Sequence, residues 1–305
     1  MTRVRFLAPA LLALLAATAA HATRVDTNNK GAQPAGEHSH IIASKAPDIP
    51  DDTWLSWVQN DFYSAPLETP KFNQLLSVFG QCFSGGFVDE VQQLKGNVGI
   101  ATAAYWGECS ESTAKGNTFL NPWADAVDGG KADDPFLDAF KSAVLNDEAA
   151  TGPKATPTSP QYYSSNAGVD AFTLGGGAYA LLFVGDTTGR PDYFLDISKI
   201  HTVLTTKYGY SDDNIFAYYG DGARQDQGNA GSAALPNWID GAGTAANYQT
   251  GLSSIAANLN PNGADGIFLW NSNHGSSVPE PATWLLAAIG ASLAALVRRR
   301  KRRCA

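Results

Sequence analysis

The spacing of apolar and polar residues changes several times along the chain, and each change marks an element. Leu75 to Phe79 is a short apolar run that predicts a buried strand, and it runs into the turn Gln81-Cys82-Phe83-Ser84-Gly85-Gly86. Phe87, Val88, Val91 and Leu94 then recur at helical spacing, Val98 to Thr102 predicts a second strand, and Asp134-Pro135 opens a helix presenting Leu137, Phe140 and Val144. Later, Ala180 to Val184, Ile215 to Tyr219 and Ile267 to Trp270 read as strands. A helix near 196–207 presents Ile197, Ile200 and Leu204, and one near 248–259 presents Leu252, Ile255 and Leu259.

Alternating strands and helices predict an α/β domain with a mostly parallel sheet flanked by helices, over 51–277. Its first half, 51–146, contains Cys82, and its second, 178–277, contains His274. Between them, 147–177 is rich in Pro, Ser, Thr and Gly and reads as a linker. Residues 23–50 have no apolar period and read as a flexible, solvated leader, in which His38 and His40 lack a third ligand in register. The triplet Gly175-Gly176-Gly177 lacks the Lys-Ser/Thr of a phosphate loop.

The two ends change the picture. Residues 1–22 carry Arg3 and Arg5, an apolar stretch from Phe6 to Ala17 and the small-residue close Ala20-His21-Ala22, the order of a secretory signal peptide. Residues 278–305 place Val278-Pro279-Glu280-Pro281 before an apolar run, Ala282 to Val297, and a basic close from Arg298 to Arg303. The run reads as a short transmembrane helix held in the inner membrane, with its basic end cytoplasmic. This tail resembles the PEP-CTERM sorting family. The resemblance implies recognition by an exosortase-type enzyme, transient anchoring, and delivery to the envelope, surface or exterior.

Net charge is −8 for the whole sequence, but the tail and signal hold eight of the 21 basic residues. Thr23 to Pro279 carries 13 basic and 28 acidic residues, a net of −15, which disfavours nucleic acid as a partner. Three cysteines are too few for a disulfide scaffold. A Cys82–Cys109 pairing stays open in an oxidising compartment. Acidic groups such as Asp221 with Asp226, or Asp128 with Asp133 and Asp134, do not match a calcium loop, and no metal or cofactor is expected.

Reactive groups of open α/β sheets collect beyond the carboxyl ends of the strands, where both Cys82 and His274 are expected. A thiol before a helix N-terminus is activated as a thiolate, and an imidazole at a neighbouring strand end can take its proton and return it to a leaving amine. Gly275 and Cys82 N–H groups are the candidate oxyanion donors. No Gly-x-Ser-x-Gly elbow favours a serine hydrolase.

Gln81-Cys82-Phe83-Ser84-Gly85-Gly86 and Asn273-His274-Gly275 resemble the two active-site signatures of the caspase and legumain superfamily. Ala180 to Gly222 is similar to that fold's first strand, helix and second strand. The resemblance implies a thiol peptidase acting on peptide or protein substrates. Related basic-specific peptidases imply that Glu108 selects a basic substrate residue, the alternative being a solvated surface position. In that family the histidine precedes the cysteine, so the order here implies circular permutation, with the old termini joined through 147–177. The rival expectation is a catalytically silent envelope or surface binding protein that keeps the fold.

Overall fold

The computed structural model describes residues 22–65, 69–129, 135–151, 158–185, 191–222, 224–225, 232–233, 235–260, 262–273 and 275–279. Its main elements in chain order are β1 (Thr23–Asp26), β2 (Glu37–Ile41), β3 (Ile49–Pro50), α1 (Asp51–Phe62), β4 (Gln74–Phe79), α2 (Phe87–Val91), β5 (Val98–Thr102), α3 (Leu120–Asp128), α4 (Phe136–Thr151), β6 (Gln161–Ser164), α5 (Ala167–Asp170), β7 (Gly177–Val184), α6 (Pro191–Thr206), β8 (Ile215–Tyr219), α7 (Ala245–Asn258), β9 (Gly266–Asn271) and β10 (Gly275–Pro279).

Seven strands form the central sheet in the order β1-β6-β5-β4-β9-β7-β8. The five from β5 to β8 are parallel, while β6 lies antiparallel beside β5 and β1 antiparallel beside β6. The expectation of a mostly parallel sheet flanked by helices therefore holds. Alternate residues of the parallel strands enter two separate cores. Leu76, Val78 and Trp270 meet Trp123 of α3, Phe140 of α4 and Ile200 of α6 on one face. Leu75, Phe79 and Leu269 meet Trp54 of α1, Phe87 of α2 and Leu252 of α7 on the other. Strands covered on both faces need apolar residues at most positions, which is why they stand out as nearly continuous runs.

Two segments depart from expectation. Residues 23–50 are not a solvated leader: β1 extends the central sheet, and β2 is the middle strand of a second, antiparallel sheet, β10-β2-β3. Nor is 147–177 only a linker, since β6 pairs with β5. In both cases polar residues occupy buried positions, most of them hydrogen-bonded, so no apolar period forms. Ser39 is fully buried, and its N–H donates to Asp51 Oδ2 at 2.7 Å. The Ser164 and Tyr162 hydroxyls donate to Asp170 Oδ1 at 2.5 and 2.8 Å. Helix α1 begins with Asp51 and Asp52, acids that suit an N-terminal turn, and buries Trp54, Val58 and Phe62 at a spacing of four.

Candidate active site

Cys82 stands three residues beyond Phe79, the last residue of β4. In the adjacent parallel strand, Asn271 pairs with Phe79 and closes β9. The ladder continues one step further, with Gly80 N–H donating to Asn271 O at 2.8 Å. The segment Ser272-Asn273 thus leaves the sheet beside the cysteine turn. His274 lies outside the described residues. Its neighbour Gly275 opens β10 and pairs with Ile41 of β2.

The cysteine turn is held mainly by backbone contacts. Phe83 takes the left-handed conformation, with φ 60°, and its N–H donates to Glu108 O at 2.7 Å. Gly85 is required by close approach: a Cβ there would lie 2.6 Å from Tyr105 Cα and 2.8 Å from Ala104 O. Ser84 to Gly86 form a single 3-10 turn that leads into α2. The carbonyl of Gly80 accepts from Ser110 Oγ at 2.7 Å and from Asn117 Nδ2 at 2.9 Å.

Asp196 joins the two strand ends, a role the sequence reading missed. Its carboxylate is fully buried, accepts from Ser272 Oγ at 2.6 Å and from Asn117 N–H at 3.1 Å. Asn117 Oδ1 also accepts from the N–H groups of Phe119 and Leu120 at 2.9 Å, capping the start of α3. A polar chain therefore runs from Ser272, two residues before the histidine, through Asp196 and Asn117 to Gly80, two residues before the cysteine. Burial pushes the Asp196 carboxyl up to about 7, against the hydrogen bonds from Ser272 and Asn117, which favour its charge. An acid on the apolar stripe of α6, between Tyr193 and Ile200, was the available signal. On the histidine side, Asn273 Nδ2 also donates to Ile42 O. The residues flanking position 274 are thus tied to Ile41 and Ile42.

Cys82 is only 7% exposed, whereas Cys109 is exposed, and neither forms a disulfide. The Cys82 thiol is one of the groups that act on the Cys109 thiol. Partial burial, the Cys82 thiol and the acids Glu111 and Glu108 push the Cys109 thiol up to about 12. Glu108 accepts from Ser159 N–H, Ser159 Oγ and Tyr105 N–H, and burial raises its carboxyl above the usual range despite those bonds. Gln81 is fully buried, and among the described residues neither its amide oxygen nor its amide nitrogen has a hydrogen-bond partner. A cavity of about 300 Å³ opens beside Asn117, bounded by Lys115, Asn121 and Lys199.

The histidines of 23–50 are not solvated as expected. His38 Nδ1 lies 2.6 Å from Asp51 Oδ1, and these two residues with Asp52 bring three possible ligand atoms within 4.8 Å of one another. Asp51 already accepts from Ser39 and Asp52 N–H groups, so it fastens β2 to the start of α1. His201, on α6, stacks on Trp238 at 4.0 Å and its Nε2 lies 3.0 Å from Asp212 Oδ1.

Among the described residues no helix is long and apolar enough to cross a membrane, and the apolar run 282–297 lies outside them. No curated protein and no solved structure matches the chain. The family model of the PEP-CTERM protein-sorting motif matches residues 277–303, which marks the protein for export and for sorting at the cell envelope by an exosortase-type enzyme.

Proposed function

We propose that the chain is an exported cysteine endopeptidase that hydrolyses peptide bonds through a dyad of Cys82 and His274. One observation carries this reading: the segments bearing the two residues leave the carboxyl ends of neighbouring, in-register parallel strands, Phe79 of β4 against Asn271 of β9. Open α/β sheets assemble reactive groups at such strand ends. Counted from β7, the five parallel strands lie in the spatial order second, first, third, fourth, fifth, and the histidine then precedes the cysteine, as a permuted caspase-like fold requires.

In this reading His274 takes the Cys82 proton, and the thiolate attacks the substrate carbonyl. The N–H groups of Gly275 and Cys82 receive the developing oxyanion. His274 returns the proton to the leaving amine, and water then hydrolyses the thioester. Glu108, next in sequence to the Cys109 thiol, is the candidate acid for a basic substrate side chain.

A peptidyl electrophile tests the reading. Covalent labelling of the reduced protein is expected, lost in both Cys82→Ala and His274→Ala with the fold intact by circular dichroism. A silent binding protein gives no Cys82-dependent labelling and no peptide turnover.

A further inference from the structure

Cys82 and Cys109 lie on two segments that run side by side in opposite directions. Phe83 N–H donates to Glu108 O at 2.7 Å on one side of the thiol pair, and Cys82 Sγ reaches Ser110 O at 4.0 Å on the other. Ser110 Oγ further fastens the second segment to Gly80 O. These contacts on either side bring residues 82 and 109 opposite each other, the Cys82 thiol buried and the Cys109 thiol facing solvent. The sorting motif commits this pair to an export route, where thiols meet disulfide oxidants rather than a reducing pool.

We propose that Cys82 and Cys109 are a modification site: they close into a reversible disulfide that withdraws the Cys82 sulfur when the protein meets a disulfide-bearing oxidant. The bond itself does not depend on the peptidase reading; only its effect on activity does.

The exchange balances in two displacements. Cys109, the sulfur open to solvent, loses its proton and attacks one sulfur of the oxidant, which leaves as a thiol. Cys82 then loses its proton and attacks Cys109 Sγ, expelling the second thiol. Two protein thiols are oxidised by two electrons to one disulfide, and the oxidant disulfide is reduced to two thiols. Burial and the negative neighbours of Cys109 hold its thiolate back, so closure accelerates as pH rises.

The test uses the full-length protein equilibrated in mixtures of oxidised and reduced glutathione, quenched with acid, alkylated and mapped without reduction. A peptide pair joined through Cys82 and Cys109, lighter by two hydrogens, is expected at the oxidising end and absent at the reducing end. Recovery of both as free thiols throughout, as separate glutathione adducts, or as links to Cys304 overturns the proposal. In parallel, Cys82 labelling by the peptidyl electrophile is expected to fall about tenfold on oxidation and to return with reductant. In Cys109→Ser it should show no such intramolecular loss. If the linked pair forms but the reduced protein is never labelled, the peptidase reading fails and the disulfide stands. If labelling is strong and no linked pair appears, the disulfide fails and the peptidase reading stands.

Discussion

The two strand ends that make up the candidate site are held in different ways. The β4 end is built from a short stretch of chain: within 80–117, Ser110 and Asn117 bind Gly80 O, Glu108 binds Phe83, and Gly85 packs against Ala104 and Tyr105. The β9 end is held from a distance, by Asp196 on Ser272 and by Ile42 on Asn273. A local turn keeps its shape as long as its own backbone fits. A loop held by remote segments depends on the whole domain being assembled.

Gly85→Ala breaks the local side of this contrast, because the added Cβ meets backbone rather than a movable side chain. A loss of about 3 kcal/mol in unfolding free energy is expected by urea titration, with loss of Cys82 labelling. Asp196→Asn probes the remote side through pH. The raised carboxyl favours folding while protonated: that stability is complete below the unfolded pKa of about 4 and is lost as pH rises through about 7. The amide cannot ionise, so wild type and variant should match near pH 4. The variant should become more stable by about 4 kcal/mol by pH 8, measured by thermal melts across that range.

Asn117→Ala severs the link between the two ends. A loss of about 1 to 2 kcal/mol is expected from the missing helix cap and the lost amide bond to the Gly80 carbonyl, which keeps only its bond from Ser110 Oγ. Gln81→Leu sharpens the contrast from the opposite sign: it removes two buried, unpartnered polar atoms and should stabilise the fold by about 1 kcal/mol. Should labelling of Cys82 fall in that variant despite the gain, Gln81 is kept for substrate rather than for the fold.

The same contrast explains what could be read from the residues alone. The five parallel strands, the cysteine turn and the strand ends were legible because burial on both faces writes apolar runs, and turns write glycines. Segments β1, β2 and β6 were not. In β2 and β6 buried positions are filled by Ser39, Gln161 and Ser164, whose partners lie outside their own strands, and β1 has no buried residue, so polarity there mimics solvation. Asp196 was hidden for a related reason: an acid near an apolar stripe looks like an ordinary helix surface until Ser272 and Asn117 are seen beside it.

The pairing of β2 with β10 has a mechanical meaning. Any tension arriving from the sorting tail enters at Pro279, which faces Glu37, and must open the rungs at 278, 277 and 276 before it strains Gly275 against Ile41. The ladder is a fuse in series with the end of β9, so a tug on the tail is spent on the outer rungs before it reaches Asn273.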